Sequence, residues 1–530
     1  MKNLLKRDLL KSIISGLLLT AAWPPVSLTP LLLVAFVPLI LVINRQTSLK
    51  KIWGYTYLTF FIWTLGTMYW IGNTNLNTQG VAIIAIAWTL IPFFQSLPFM
   101  VFGWIKKGLP SSINWLALPV LWVSYEYLHS NWEFSFTWLH LGFGLSPVPW
   151  LAQFYEITGY LGGSLLIMVF NVLVFLMIRD YGKKHFRRWV YATTALIIII
   201  VATNTLLYPQ PRHIKTIRVA IIQSNDDPYE KLDQNSLKKQ VADLRSMLLP
   251  LQNDKVDLVV LSEGFLKTSP MAPLILNNID EQPAVKEIKE VSRQINAPIL
   301  VGFIGFKLYS STKYAPASAL PTGDGRYFSG FNGAMLVAYD RPTQVQMKNN
   351  LVPFMERIPY LEQLSFFERF RLRLNQAAQS YEKDDAVNVF EYKNMRIGTL
   401  ICLDALFPSY ATEFVSKRAN ILAVIANDSW AGNTSGYQQN AQYASTVAIS
   451  LRKDVIRSAT TGLSMFVDKS GKKRKITSWN KSDTIIDEVQ LSSLDTFYAC
   501  TNDWLGVMSL VLLAGIVMYA VAAKKKTAGA

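Results

Sequence analysis

The sequence predicts an α-helical membrane bundle of eight transmembrane helices that carries an α/β layered domain outside it. Three observations lead there. Hydrophobic residues make up 51% of the 530 and the mean hydropathy is +0.22, too apolar for one ordinary soluble enzyme. Apolar runs long enough to span a bilayer fall at about 8–22, 29–44, 52–71, 80–105, 113–128, 162–178, 189–207 and 503–523. Between the last two runs the texture changes to short β-rich segments bounded by turn residues.

Basic residues orient the bundle. Outside 212–503, Lys and Arg cluster at Lys2 to Lys11, Arg45 to Lys51, Lys106 and Lys107, Arg179 to Arg188, and Lys524 to Lys526. With eight spans all of these clusters fall on one face, and the three intervening loops opposite contain none. The positive-inside rule makes that face cytoplasmic. Both termini are therefore expected in the cytoplasm and 212–503 on the outer side. The chain divides into 1–210 with seven transmembrane helices, an outer domain over 211–500, and a last transmembrane helix and tail over 501–530. Within 212–503, 35 Lys and Arg stand against 31 Asp and Glu, so most of the net charge of +16 belongs to topology and gives no reason to expect nucleic acid. The first run has basic flanks but no A-x-A site before Trp23-Pro24-Pro25, and reads as a retained span rather than a cleaved signal.

The outer loop 129–161 carries Trp132, Phe134, Phe136, Trp138, Trp150, Phe154 and Tyr155 with only Glu133 and Glu156 as charges. Rings of this kind belong at the headgroup level, and an interfacial belt is equally compatible with a wall of a lipid-accessible site. Beyond the join at 208–211, strands are expected at 217–223, 256–263, 297–306, 333–339, 395–402, 419–428 and 462–468, with helices at 235–251, 283–295, 409–418 and 437–452. Several of the strands are apolar at every position, which implies cover on both faces.

Elimination narrows the chemistry. No histidine follows His213, so a Ser-His-Asp triad or a His-rich zinc site within the outer domain is excluded, and there is no phosphate-binding glycine loop. No metal or cofactor is expected. What remains is a thiol, a carboxylate and an amine at strand ends: Cys402 closing "MRIGTLIC", Glu263 closing "VDLVVLSE", and Lys348 after "QVQM". Taken singly, Cys402 reads first as core packing, a disulfide with Cys500 being a lesser alternative because Cys500 sits at the start of the last span, and Glu263 and Lys348 read as solvated turn residues. Taken together they have a logic. A thiol needs a base to become a thiolate, and an ammonium stabilises the oxyanion that follows.

Glu, Lys and Cys in that order on strand-like runs resemble the nitrilase, or carbon–nitrogen hydrolase, superfamily. With the membrane spans, and with "FTWLHLGFG", "YEITGYLGGS", "LVPFMERIPY" and "TEFVSKRANILAVIANDSWAGNTSGYQQ", the chain is similar over nearly its whole length to the membrane-bound apolipoprotein N-acyltransferases of that superfamily. The resemblance implies an αββα sandwich, with Cys402 as nucleophile, Glu263 as general base, Lys348 as oxyanion stabiliser and Glu356 as a second carboxylate orienting Lys348. Asp404, Asn427, Asp428 and Trp430 fall on its supporting motifs. It implies acyl transfer from a phospholipid donor, through a Cys402 thioester, to the α-amine of a diacylglyceryl-cysteine at a lipoprotein N-terminus. The setting it implies is the bacterial inner membrane with the catalytic domain in the periplasm, as a monomer. Segments 264–280 and 354–375 are the candidate lids, the second carrying an amphipathic stripe. The chain departs from the family pattern at Ser262-Glu263-Gly264-Phe265, at Cys402-Leu403-Asp404, at Asn440, Ala444-Ser445 and Ser450, and at Thr460-Thr461-Gly462. Two alternatives stay open: a diverged paralogue acylating another envelope amine or hydroxyl or hydrolysing an amide, and a non-catalytic lipid- or lipoprotein-binding protein.

Overall fold

The structure is a computed structural model that describes residues 2–73, 78–110, 114–210, 215–227, 232–233, 235–268, 273–311, 313–316, 318–357, 359–360, 381–384 and 386–528. The chain forms two compact units, one from residues 1–72, 81–208 and 501–530, the other from 73–80 and 209–500.

The first unit is helical: α1 (Lys2–Ala22), α2 (Val37–Arg45), α3 (Leu49–Met68), α4 (Thr78–Ile105), α5 (Ala117–Ser130), α6 (Tyr155–Arg179), α7 (Phe186–Leu206) and a C-terminal helix Trp504–Ala528. Among the described residues, four stretches are long and apolar enough to cross a membrane: Ile84–Gly108, Tyr155–Arg179, Phe186–Leu206 and Trp504–Lys524. At about 1.5 Å per residue the shortest of them covers the roughly 30 Å of a hydrocarbon core. Their outer faces are greasy. Ile197, Ile198 and Ile199 on α7, and Val507, Val511 and Met518 on the C-terminal helix, all point outward, as they would toward lipid.

The other four expected spans do not reach that length and apolarity. Charges at Lys6, Arg7, Asp8 and Lys11 shorten the apolar part of α1. The run 52–71 stops as an α-helix at Met68, and four of its threonines (Thr56, Thr59, Thr64 and Thr67) are buried. Over 113–128 the described α-helix is only 14 residues. The run 29–44 is broken into a 3-10 turn at Thr29–Leu33 and the nine-residue α2. The backbone groups freed at that break are taken up by Asn171 of α6, fully buried, whose Oδ1 accepts from Phe36 N at 2.8 Å and whose Nδ2 donates to Leu32 O at 2.7 Å. Irregular backbone in an apolar setting survives only when such partners exist.

Small residues let the helices close on one another. A Cβ on Gly16 of α1 would lie 2.7 Å from the Thr59 carbonyl of α3, and Thr59 Oγ1 donates to Ser12 O at 3.0 Å. In the loop expected to form an aromatic belt, Trp138, Phe154 and Tyr155 are buried within the unit, while Trp150 is exposed.

The second unit is built on two mixed sheets of β1 (Thr216–Gln223), β2 (Leu258–Val260), β3 (Ile299–Tyr309), β4 (Leu320–Pro321), β5 (Tyr327–Val337), β6 (Gln344–Met347), β7 (Phe390–Tyr392), β8 (Met395–Ile401), β9 (Ile421–Ala426), β10 (Val455–Ala459), β11 (Met465–Val467), β12 (Lys473–Arg474) and β13 (Asp483–Gln490). One runs β13-β1-β2-β3-β5-β4 with β6 beside β5, the other β12-β11-β10-β9-β8-β7. In the first β1, β2 and β3 are parallel, and in the second β8, β9 and β10. The sheets share a core of Val219, Ile221, Val260 and Leu336 against Ile397, Ile401, Ile425 and Ile456. Helices α8 (Ser236–Leu248) and α9 (Pro283–Ile295) cover the outside of the first through Leu244, Leu248, Val285 and Ile288. Helix α10 (Pro408–Ser416) covers the second so closely that a Cβ on Gly398 would lie 2.7 Å from Phe414, and α11 (Ser435–Leu451) lies beside it. The layers follow the αββα order that the resemblance implied. Burial on both faces explains the unbroken apolar runs.

Asn171→Leu removes both partners of the α2 break. It is expected to lower stability by about 1–3 kcal/mol, read as a reduced thermal midpoint of the full-length protein in detergent; an unchanged midpoint contradicts the account of that break.

Candidate active site

The parallel strands β2, β8 and β9 end at the same place, and each delivers a polar residue there. Past β2 the chain runs through Leu261 and Ser262 to Glu263, which is 6% exposed, then turns at Gly264 with φ +58°. The approach to β3 is tight. A Cβ on Gly302 would sit 2.4 Å from Ser262 O and 2.6 Å from Glu263 Cα, so only glycine fits.

At the end of β8, Cys402 takes the left-handed conformation, φ +52°, and opens a 3-10 turn over Cys402–Leu406. A cysteine there is strained by roughly 1–3 kcal/mol, and the neighbouring carboxylate holds it. Asp404 Oδ2 accepts from Ile401 N at 3.0 Å, while Oδ1 accepts from Asn350 N and Nδ2 at 2.8 and 2.9 Å. Burial pushes the Asp404 carboxyl up to about 6 in spite of these donors. Cys402 itself is partly exposed, and both it and Cys500 are free thiols, so the disulfide reading is not realised.

Lys348 follows β6, its N–H bonded to Asn332 O at 2.9 Å, with its side chain 1% exposed. Its ammonium lies 2.9 Å from Glu263 Oε1 and 2.7 Å from Glu356 Oε1. Each carboxylate is fixed by its second oxygen: Glu263 Oε2 accepts from Asn427 N at 2.8 Å, and Glu356 Oε2 from Val352 N at 2.8 Å. Asn332 Nδ2 bridges the two, at 2.8 Å from Glu263 Oε1 and 3.2 Å from Glu356 Oε1.

The electrostatics follow from this crowding. Burial pulls the Lys348 ammonium down, but Glu263 and Glu356 outweigh it and hold the group well above the usual lysine range. Burial, and then the Glu263 carboxylate, push the Cys402 thiol well above its ordinary value against the pull of Lys348, so the resting thiol is neutral.

Of the residues singled out from sequence, Glu263, Lys348 and Glu356 make direct contact, and Cys402 lies within the reach of their charges. Asn427 joins them through its backbone. Asp428 is buried one step behind, paired with Arg457 at 2.9 Å. Trp430 lies on the turn Ser429–Ala431 and is 36% exposed. Of the two lid segments, 269–272, 358 and 361–375 lie outside the described residues. Sequence reasoning missed Asn332 and Arg457. The available signal was Asn332 as the single polar side chain in "FNGAMLV" and Arg457 as the single charge in "VIRSA".

Lys348→Met leaves two buried carboxylates facing each other without the cation. Removing one partner of a buried ion pair costs about 3–5 kcal/mol. Denaturant melts of the variant beside wild type check this loss; an unchanged midpoint contradicts it.

Two family models match this chain, one described as the apolipoprotein N-acyltransferase N-terminal domain over residues 15–173 and the other as carbon-nitrogen hydrolase over residues 218–498. The apolipoprotein N-acyltransferase of Chlorobaculum tepidum is 26% identical in an alignment covering 99% of this chain and 98% of its own. That of Geobacter metallireducens is 26% identical over 98% of this chain and 96% of its own. A carbon-nitrogen hydrolase of known structure from Helicobacter pylori G27 aligns with 56% of this chain and 96% of its own at 16% identity and a TM-score of 0.37. With the carbon-nitrogen hydrolase match alone extending over more than half of its length, and the N-terminal match adding the helical part, the chain belongs to the carbon-nitrogen hydrolase family, in the branch that carries the apolipoprotein N-acyltransferase N-terminal domain.

Proposed function

We propose that this protein transfers an acyl chain from a phospholipid to the α-amine of a diacylglyceryl-cysteine at a lipoprotein N-terminus, through a thioester on Cys402. The observation that carries the reading is the buried Lys348 ammonium, held by Glu263 and Glu356, in the electrostatic reach of a neutral thiol at a strand end. The names of the relatives that match nearly end to end supply the substrate class.

In this reading Glu263 takes the proton from Cys402 Sγ as the sulfur attacks the ester carbonyl. Lys348 stabilises the oxyanion of the tetrahedral intermediate, and Glu356 keeps the ammonium in place when the Glu263 charge is neutralised. The intermediate collapses, the lysophospholipid alkoxide leaves with the proton held by Glu263, and the thioester remains. The acceptor amine then attacks the thioester and gives a proton to Glu263, the C–S bond breaks, and Glu263 returns that proton to the Cys402 sulfur as the amide departs. Two half-reactions at one sulfur make the kinetics ping-pong. Asp404 serves by holding the left-handed turn at Cys402, and Asn427 by its N–H on Glu263.

The proposal extends to topology: eight spans, residues 1–210 and 501–530 in a bacterial inner membrane, residues 211–500 in the periplasm, both termini cytoplasmic, and a monomer. The one-sided basic clusters support it, together with four helices long and apolar enough to cross.

Purified protein incubated with acyl-labelled phosphatidylethanolamine and a diacylated lipopeptide should carry label on Cys402 first and pass it to the peptide. Cys402→Ala is expected to abolish both signals, and normal turnover in that variant ends the proposal. Label that stays on the protein points to a different acceptor. Glu263→Gln, which keeps the shape and loses the base, should slow thioester formation by roughly 10²- to 10⁴-fold, measured by quenched single-turnover labelling.

A further inference from the structure

Behind Asn427 the outer unit contains a fully buried ion pair that the reaction scheme leaves unused. Arg457 lies in the middle of β10 with no exposure, and Asp428, one residue past Asn427, is 4% exposed. Arg457 Nη2 donates to Asp428 Oδ2 at 2.9 Å and to Oδ1 at 3.2 Å, while Nη1 donates to the Leu463 carbonyl. Asn440 of α11 gives Asp428 a third hydrogen bond, Nδ2 to Oδ1 at 2.7 Å. The loop after β10 closes the cluster. A Cβ at Gly462 would lie 2.0 Å from Asp428 Oδ2, so that carboxylate rests directly on the glycine. Three elements therefore converge on one side chain.

Stability is a poor reason for such a cluster. The desolvation of two buried charges offsets most of their attraction, and an apolar pair of like volume often does as well. Position is a better one. Glu263 Oε1 already accepts from Lys348 Nζ and Asn332 Nδ2, whereas among the described residues Oε2 accepts only from Asn427 N. A carboxylate offers about four acceptor directions, two on each oxygen. An unfilled direction remains on Oε2, and the Asn427 amide on that oxygen bears on where it points.

We propose that Arg457 is a positioning residue for the base: by anchoring Asp428 it fixes the Asn427 amide on Glu263 Oε2, and so directs the free lone pair of that oxygen at the Cys402 thiol. The inference rests on the reading of Cys402 as nucleophile and Glu263 as base. The step it governs is a single proton transfer, in which the S–H bond breaks, Oε2 gains the proton and sulfur keeps the electron pair.

The test needs no lipid. Full-length protein in detergent is treated with iodoacetamide between about pH 6 and about pH 9, and alkylation of Cys402 is followed by peptide mass, which separates it from Cys500. Arg457→Met/Asp428→Asn removes the ion pair without stranding a charge, so the protein is expected to melt within about 5 °C of wild type. Its Cys402 should alkylate roughly 10- to 100-fold more slowly near neutral pH, with the profile moved to higher pH as in Glu263→Gln. Arg457→Lys keeps the charge and loses the guanidinium fork, and should fall in between; it also serves as the readout should the double variant fail to fold. A folded double variant, or failing that Arg457→Lys, that alkylates at the wild-type rate with an unmoved profile overturns the proposal. A wild-type protein that alkylates as expected but takes no acyl label would end the acyl-transfer reading and leave this one standing.

Discussion

One lysine ammonium, stripped of water, organises the second unit. A buried cation is tolerated only where paired and hydrogen-bonded partners replace its hydration, and Lys348 has two carboxylates and an amide that bridges them. Those carboxylates need fixing in turn, and each takes a backbone N–H from a different part of the chain, Asn427 beyond β9 and Val352 beyond β6. The arrangement thus reaches into both sheets. A shift of either sheet against the other would break a charge-assisted bond in a place where no solvent could replace it, which ties the register of the sandwich to the chemistry at its edge.

The same constraint sets the resting protonation states. Two carboxylates already flank the ammonium, and a thiolate would set a further negative charge beside Glu263. The thiol accordingly holds its proton. In the proposed cycle the proton moves to Glu263 only as an acyl carbonyl arrives to take up the negative charge on sulfur, so the number of anions around Lys348 never rises. Lowering the thiol pKa in advance, as a helix N-terminus or an imidazolium does elsewhere, is not the strategy of this site.

Legibility from sequence followed the physics of each residue. Cys402 and Glu263 stood out because they end apolar runs, and strands covered on both faces produce such runs, whereas Lys348 follows the alternating "QVQM". β13, "DTIIDEVQ", was invisible because it is an edge strand half in solvent, paired only with β1, and has no apolar pattern to show. β10 was passed over because Arg457 interrupts it, and a charge inside a strand reads as a surface until its partner, 29 residues away, is known. Glu356 came from the resemblance alone, since nothing local marks it. In the helical unit, hydropathy located the apolar runs but not their breaks: the interruption of 29–44 depends on Asn171, more than a hundred residues downstream.

The pairing of β1 with β13 has an outcome of a different kind. Thr216 lies opposite Gln490, so the strand that opens the sandwich is clasped by the one that closes it, and the polypeptide enters and leaves at neighbouring points. A chain growing from its N-terminus offers β1 no antiparallel partner until residue 490 has been made. Until then the nascent domain presents an unzipped border to any other extended peptide nearby, and its maturation is gated by its own last strand.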